Sequence, residues 1–296
     1  MPSPRRLEDP LSVTTSRAFS PRQALFLLAS LCAGAAGWLP PQTALAQGRL
    51  DGQYEASLAG IPVGKGTWTI EIGDDAFSAT ARGGTAGLLK AFAGGTGTGS
   101  SQGRIVNGAL VPSNYLATIS SKKSETIRLV LANGNIRDSA IEPEPPVDGD
   151  RIPVTDAHKK GVLDPMTGSM LRVPGLVDPL SPDACRSGAS IFDGRLRYDL
   201  KFDYKRMETV KAERGYHGPA LVCAVYFTPI AGYIPDRPVI KYLAQARNIE
   251  IAFVPIAGTR VLVPFRLTIP TPFGPAMLEA TEFNTTATPP RVAKTQ

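Results

Sequence analysis

Histidine and cysteine are scarce in this sequence, with two and three copies in 296 residues. These residue types supply most zinc ligands and many catalytic bases and nucleophiles. The histidines, His158 and His217, lie far apart, and neither belongs to a run of His, Cys, Asp and Glu with metal-ligand spacing. Asp156 lies close to His158, but no nucleophile accompanies the pair. We therefore expect no bound metal and no cofactor.

The glycine motifs of nucleotide-binding enzymes are missing as well. The glycine- and serine-rich run 94–103 lacks the G-x-G-x-x-G spacing, and is expected to be a loop or a small-residue strand. No strand-turn-helix pattern places a serine on a nucleophile elbow. The protein is therefore predicted not to be an enzyme. Glycan hydrolysis by paired carboxylates stays an alternative, and its candidates are Asp199, Asp203, Glu250 and Glu279.

Charge gives no reason to expect a nucleic-acid partner. The formal net charge is +6, but four arginines and only two acidic residues fall within the first 46 residues, so the remainder is closer to neutral. A nucleic-acid-binding domain presents a basic patch or stripe. No such cluster follows residue 46.

The N-terminal residues have the pattern of an export signal. Basic residues precede the apolar stretch 24–39, and Ala44-Leu45-Ala46 then forms a small-x-small cleavage site. The stretch is short for a membrane span, which needs about 20 apolar residues, although a signal anchor remains an alternative. We predict that residues 1–46 are a signal peptide cleaved after Ala46. The protein would then be periplasmic, with no other contact with the membrane.

The clearest structural signal is the stretch Ile191–Lys205. After the turn at Asp193-Gly194, apolar side chains alternate with charged ones to the end of the stretch. This alternation is typical of a strand with one buried and one wet face, as in antiparallel sheets. Cys185 and Cys223 flank the strand and are the only cysteines left after signal cleavage. In an oxidising compartment we expect them to form a disulfide.

Several other segments have strand and hairpin patterns. Asn107-Gly108 and Asn133-Gly134 suit tight hairpin turns, and alternating apolar residues predict strands at 249–254, 261–269 and 276–283. The predicted fold class is all-β and mainly antiparallel. We expect a strongly curved sheet, half-barrel or open β-barrel with one or two short covering helices.

The domain organisation follows from the same pattern. Residues 47–284 are predicted to form a single antiparallel β domain, because neither half has enough strands to close its own core. The proline-rich segment 143–150 would be a loop within that domain. Residues 285–296 are polar and are predicted to be a disordered tail.

Two short helices are predicted, at 86–93 and 165–171, where apolar residues follow capping signals. Their apolar side chains would either line a ligand site at the concave face of the sheet or plug the core of a half-barrel. In the first case the ligand-binding residues are Leu88, Leu89, Phe92, Met166 and Met170.

Three segments of the chain resemble exported bacterial proteins grouped as domain of unknown function 3108. They are Gly64–Trp68, the segment that runs from Cys185 through Leu200, and the segment that runs from Cys223 through Tyr233. The closing region 249–283 is similar too, so the likeness covers most of residues 50–284. The resemblance implies a periplasmic or envelope-associated antiparallel β domain. It transfers no catalytic residue.

These observations favour a secreted, non-enzymatic domain that binds a lipid, another apolar or amphipathic small molecule, or an envelope protein. The alternatives are the glycan hydrolase and a structural interaction module that uses a sheet edge near Pro264. A deep apolar cleft would favour the first hypothesis, and two carboxyl groups about 5–9 Å apart in a polar groove would favour the hydrolase. An exposed edge without a cleft would favour the interaction module.

Overall fold

The computed structural model describes residues 47–86, 94–146 and 148–288. The predicted signal peptide and the predicted helical residues 87–93 lie outside the described residues. The strands are β1 (Gln47–Leu58), β2 (Ile61–Ile72), β3 (Ala76–Thr85), β4 (Thr96–Val106), β5 (Ala109–Ser120), β6 (Ser124–Ala132), β7 (Asn135–Glu142), β8 (Leu171–Arg172), β9 (Gly188–Phe192), β10 (Arg197–Lys211), β11 (Arg214–Gly215), β12 (His217–Ala231), β13 (Ile249–Pro255), β14 (Val261–Thr271) and β15 (Gly274–Thr288). The helices are α1 (Pro165–Gly168) and α2 (Pro238–Gln245), with 3-10 turns at Asp156–Lys159 and Pro182–Cys185.

The described strands form one curved, mainly antiparallel sheet, which confirms the predicted fold class. The order along the sheet is β7-β6-β5-β4-β3-β2-β1-β15-β14-β13-β12-β10-β9, and the short strands β8 and β11 pair with β14 and β15. Only the β11–β15 pair is parallel among the described ladders. The sheet thus consists of two meanders. The first and last strands in the sequence, β1 and β15, are neighbours in the middle of the sheet.

The pairing of β1 with β15 joins the two meanders. It runs from Gln47 opposite Thr288 to Leu58 opposite Ala276. Residues 285–288 therefore belong to the sheet, and the predicted disordered tail is wrong for these four residues. They carry no alternating apolar pattern, but the backbone ladder to β1 orders them whatever their side chains are.

Both predicted tight hairpins are present. The two central residues of each turn have positive φ, with values of 50° and 76° at Asn107 and Gly108 and of 51° and 71° at Asn133 and Gly134. This is the requirement of a type I′ turn, which asparagine and glycine meet with the least strain. The turns fix the register of β4 with β5 and of β6 with β7.

The long strand β10 follows its predicted alternation as far as Phe202, which is 3% exposed. Beyond it, Tyr204 is 43% exposed, although the alternation predicts a buried side chain there. Lys205 is an extra residue in the ladder, between Tyr204 opposite Cys223 and Arg206 opposite Val222. Such a bulge bends a strand and redirects the side chains next to it.

The sheet is not closed, because the edge strands β7 and β9 do not pair. Residues 160–163 lie between them instead. The Val162 amide donates to the carbonyl of Gly134 at 2.7 Å, and the Leu163 amide donates to the carbonyl of Ser190 at 2.8 Å. The Phe192 amide donates to the carbonyl of Leu163 at 3.0 Å. One short segment therefore bridges the gap through its backbone.

A small core lies beneath this bridge. Phe192, from β9, is 1% exposed and packs with Val162 of the bridge. The same cluster contains Ile127, Leu129 and Leu131 of β6. Apolar contact thus joins the two edges of the sheet where hydrogen-bonded strand pairing does not.

A disulfide joins Cys185, at the end of a 3-10 turn, to Cys223 in β12. Both cysteines are fully buried. Closing a loop of this length, 38 residues apart in sequence, stabilises the folded state by roughly 3–4 kcal/mol in the chain-entropy model. The bond ties the chain segment before β9 to the centre of the second meander.

The predicted helix at 165–171 is shorter than expected. α1 is a single turn that ends at Gly168, because Leu171 and Arg172 pair with β14 as strand β8. The helix α2 lies in a segment for which no helix was predicted. Within the described part of the chain, no helix has the length and apolar character needed to cross a bilayer.

Pro264, where a sheet edge was predicted, belongs to β14, between β13 and β15 in the strand order. It pairs with Phe253 of β13 at a register shift. On its other side the β14–β15 ladder begins only at Arg266, and the carbonyl of Pro264 accepts a hydrogen bond from the Tyr54 hydroxyl at 2.9 Å. β14 is thus an inner strand of the sheet, and its pairing with β15 does not extend to Pro264.

Replacing Phe192 by alanine tests the apolar contact between the two edges of the sheet. We expect Phe192→Ala to lower the free energy of unfolding by about 3–5 kcal/mol, as for other buried phenylalanines. Phe273→Ala removes the same atoms from a side chain that is 80% exposed, so its effect should stay within about 0.5 kcal/mol. Urea unfolding measures both. Equal, small losses would show that the contact between the two edges contributes little.

Candidate functional site

The interior of the curved sheet contains a cavity of about 700 Å³. Small-molecule sites in proteins typically measure roughly 300–1,000 Å³. Strands from both meanders contribute to its wall, together with α1 and α2. The cavity therefore lies between the two halves of the sheet, and the wall is mostly apolar.

One wall consists of residues with little or no side chain. Gly83 of β3 pairs with Gly66 of β2 and with Gly97 of β4, and all three line the cavity. The next inward-facing pair is Ala81 and Gly99. Cross-strand partners share a face, so the missing side chains leave space along this wall. Trp68, opposite Ala81, also lines the cavity, and the methyl group of Met166 lies 3.0 Å from the position that a Cβ on Gly99 would take.

The opposite wall carries large apolar side chains. Phe202 packs edge-on against Phe253, with 5.8 Å between the ring centroids. Tyr198 packs against Phe227 at 5.4 Å. Ile249 adds an aliphatic surface from β13. An apolar ligand in the cavity would thus contact aromatic rings on one side and backbone on the other.

Some lining residues remain exposed to solvent and mark an opening. Ile119, near the end of β5, is 53% exposed, and Leu278 of β15 is 39% exposed. Leu243 of α2 also lines the cavity. The helix is held against the end of β14, because the hydroxyl of Tyr242 donates to the carbonyl of Pro270 at 2.6 Å. The apolar surface therefore extends from the interior to the outside.

The turn of helix α1 closes another part of the cavity, through Pro165, Gly168 and Ser169. Asp164 caps this turn and is fully buried. One carboxylate oxygen accepts from the backbone amides of Met166 at 2.9 Å and Thr167 at 3.0 Å. The other accepts from the hydroxyls of Thr167 at 2.6 Å and Ser101 at 2.9 Å. Burial raises the pKa of Asp164, and these hydrogen bonds oppose the rise.

Ser101 is the central serine of the segment Gly99–Gly103, whose letters fit the pattern G-x-S-x-G. It does not lie on a nucleophile elbow. It sits inside β4, is 1% exposed, and its hydroxyl contacts Asp164 and Thr167. A nucleophilic serine needs access to substrate and a neighbouring base. In this structure Ser101 anchors the capping residue of α1 to the sheet.

The predicted ligand-binding residues fall in three places. Leu88, Leu89 and Phe92 lie outside the described residues, so their role stays a prediction. Met170 is 6% exposed and packs in an apolar core that also contains Ile70 and Phe265, and Met166 is partly buried against that core. Neither methionine is among the residues that line the cavity. The missed signal is the glycine-rich run, because its alternate residues form a wall of the cavity.

The carboxylates considered for glycan hydrolysis do not converge on the cavity. Asp199, Asp203 and Glu279 pair with Arg197, Lys201 and Arg266 at 2.7, 3.3 and 3.2 Å. Glu250 pairs with Arg206 at 2.7 Å and with Lys205. Although desolvation raises its pKa, hydrogen bonds from these two cations lower it overall. A general acid needs a raised pKa.

No cluster of three or more His, Cys, Asp and Glu that could hold a metal ion occurs among residues 47–86, 94–146 and 148–288.

The anchoring role of Ser101 can be tested with its neighbour as the control. Ser101→Ala leaves a buried carboxylate without one of its four donors, which should cost about 1–3 kcal/mol of unfolding free energy. Ser100→Ala alters the adjacent half-buried residue, whose hydroxyl has no described hydrogen-bond partner, and should change stability by less than about 0.5 kcal/mol. Thermal or urea unfolding compares the two. A loss no larger for Ser101→Ala than for Ser100→Ala would contradict this role.

Comparisons with known proteins concern the fold and the family. Among solved structures, a β-barrel-like protein of domain of unknown function DUF1849 from Brucella abortus is similar, with 9% sequence identity and a TM-score of 0.40. The similarity covers 83% of this chain and 100% of that chain. No curated protein matches the sequence. The family described as "Protein of unknown function (DUF3108)" matches residues 53–281. This match spans most of the chain, and the protein therefore belongs to the DUF3108 family.

Proposed function

We propose that this protein is a non-enzymatic binding protein that holds an apolar or amphipathic molecule in the cavity of its curved sheet. The observation that carries the proposal is the wall of Gly66, Gly83, Gly97 and Gly99, which leaves about 700 Å³ within the sheet. A structural core would be expected to fill this space, since protein interiors pack at high density and voids destabilise them.

The surroundings of the cavity support an apolar ligand. Its wall is made of aromatic and aliphatic side chains, alanine and glycine, with few polar groups. Ile119 and Leu278 carry that surface to the outside, so a ligand has an apolar path of entry. Helix α1 acts as a partial plug, which leaves the cavity open beside it.

We further propose that the protein works in the periplasm or cell envelope. The buried disulfide between Cys185 and Cys223 is consistent with an extracytoplasmic location, because disulfides persist in oxidising compartments. The export pattern of residues 1–46 supports the same location. A lipid or other apolar small molecule is the partner that this location and the cavity favour together.

Filling the cavity from its glycine wall tests the proposal. A Cβ atom on Gly97 would meet only the carbonyl oxygen of Thr118, at 3.7 Å, so Gly97→Leu should fold and occupy the space. We expect its affinity for an apolar fluorescent probe to fall by at least about tenfold, which corresponds to roughly 1.4 kcal/mol. The melting temperature should be unchanged or higher, because a void is filled.

Thr80→Leu is the matched control for this experiment. Thr80 lies on the exposed face of β3, between Ala79 and Ala81, so the same leucine is added to the outside of the sheet. Fluorescence titration of wild type and both variants gives the three affinities. Equal affinities for all three, or no binding of the probe by folded wild type, would contradict a ligand site in the cavity.

A further inference from the structure

Two tyrosines line the cavity from strands that are distant in the sheet. Tyr115 belongs to β5 and Tyr198 to β10, and eight strands separate β5 from β10 in the sheet order. The curvature of the sheet and the bridge at residues 160–163 bring both to the same cavity. Both side chains are partly buried.

Their hydroxyl groups differ from those of three other tyrosines in the structure. The hydroxyls of Tyr54, Tyr216 and Tyr242 each donate to a proline carbonyl, at 2.9, 2.7 and 2.6 Å. Those of Tyr115 and Tyr198 have no hydrogen-bond partner among the described residues. A phenol hydroxyl can donate one hydrogen bond, and no described protein group accepts one from either tyrosine. Two such groups in one apolar cavity therefore provide donors for a ligand.

Two acidic residues and one cation lie near these hydroxyls. Burial raises the pKa of Tyr115 to about 12, and the carboxylates of Asp164 and Asp193 add to the rise. Burial raises the pKa of Tyr198 as well, with the same carboxylates contributing. Both phenols therefore stay protonated at neutral pH and remain donors. The cation, Arg195, pairs with Glu125 and also opposes the rise that burial causes in the pKa of Asp193.

We propose that Tyr115 and Tyr198 form the polar subsite of the cavity and bind an uncharged hydrogen-bond acceptor of the ligand, such as an ester carbonyl. The proposal rests on the ligand-binding function proposed above and specifies its ligand. A carboxylate would also accept from the two phenols, but it would lie near Asp164 and Asp193 in a poorly solvated site, where like charges repel strongly. The subsite thus favours a neutral lipid over an ionised fatty acid.

The test compares three probes of the same chain length: a fatty-acid methyl ester, the ionised fatty acid and the plain hydrocarbon. The affinity for each probe is measured at pH 7.5 by displacement of an apolar fluorescent dye. Wild type should bind the ester more tightly than the hydrocarbon and the acid. Tyr115→Phe and Tyr198→Phe should each weaken ester binding by about three- to tenfold, the value of one hydrogen bond. Their binding of the hydrocarbon should be unchanged, since phenylalanine keeps the ring.

Tyr204→Phe is the control, because Tyr204 is 43% exposed and does not line the cavity. It should leave the affinities for all three probes unchanged. The subsite would be overturned if wild type bound the ester and the acid with equal affinity, or if both variants bound the ester as tightly as wild type. The cavity would still be a ligand site in that case, provided that wild type bound the hydrocarbon. Failure of all three probes to displace the dye would overturn both proposals.

Discussion

The interior of the curved sheet is only partly filled by its own side chains, because the parts of β2, β3 and β4 that line the cavity carry mainly glycine and alanine, with Trp68 as the large exception. A β-sheet that curves around an enclosed space must fill that space with side chains or leave it to a ligand. On the opposite side, Phe202 and Phe253 supply a normal aromatic wall. The asymmetry between the two walls creates the cavity, and the proposed function depends on it.

The rest of the structure keeps this space from collapsing. The β1–β15 ladder fixes the two meanders relative to one another, and residues 160–163 with Phe192 connect the free edges. Asp164 and Ser101 attach α1 to the inner face of β4, so the helix covers one part of the interior only. Backbone bridges, a buried polar contact and a disulfide thus support the sheet alongside its apolar cores.

Local patterns in the sequence predicted much of the fold and little of the site. The two tight hairpin turns could be predicted because the turn type depends on two adjacent residues, Asn107-Gly108 and Asn133-Gly134. The burial of Phe202 could be predicted from the alternation of apolar and charged residues along its strand. The inward-facing glycines of the cavity wall could not be identified in this way, since strand faces are predicted from alternating apolar and polar side chains and glycine has no side chain. Tyr115 and Tyr198 reach the same cavity only through the curvature of the sheet and the bridge at residues 160–163, which no local pattern encodes.

We infer that the cavity is a binding site rather than a packing defect. Native mass spectrometry of the protein, purified gently from the bacterial cells that produce it, tests this inference most directly. We expect a species heavier than the polypeptide by the mass of an apolar molecule, which organic solvent extracts and which denaturation releases. A native mass equal to that of the polypeptide alone, unchanged after incubation with total membrane lipid extract, would contradict it.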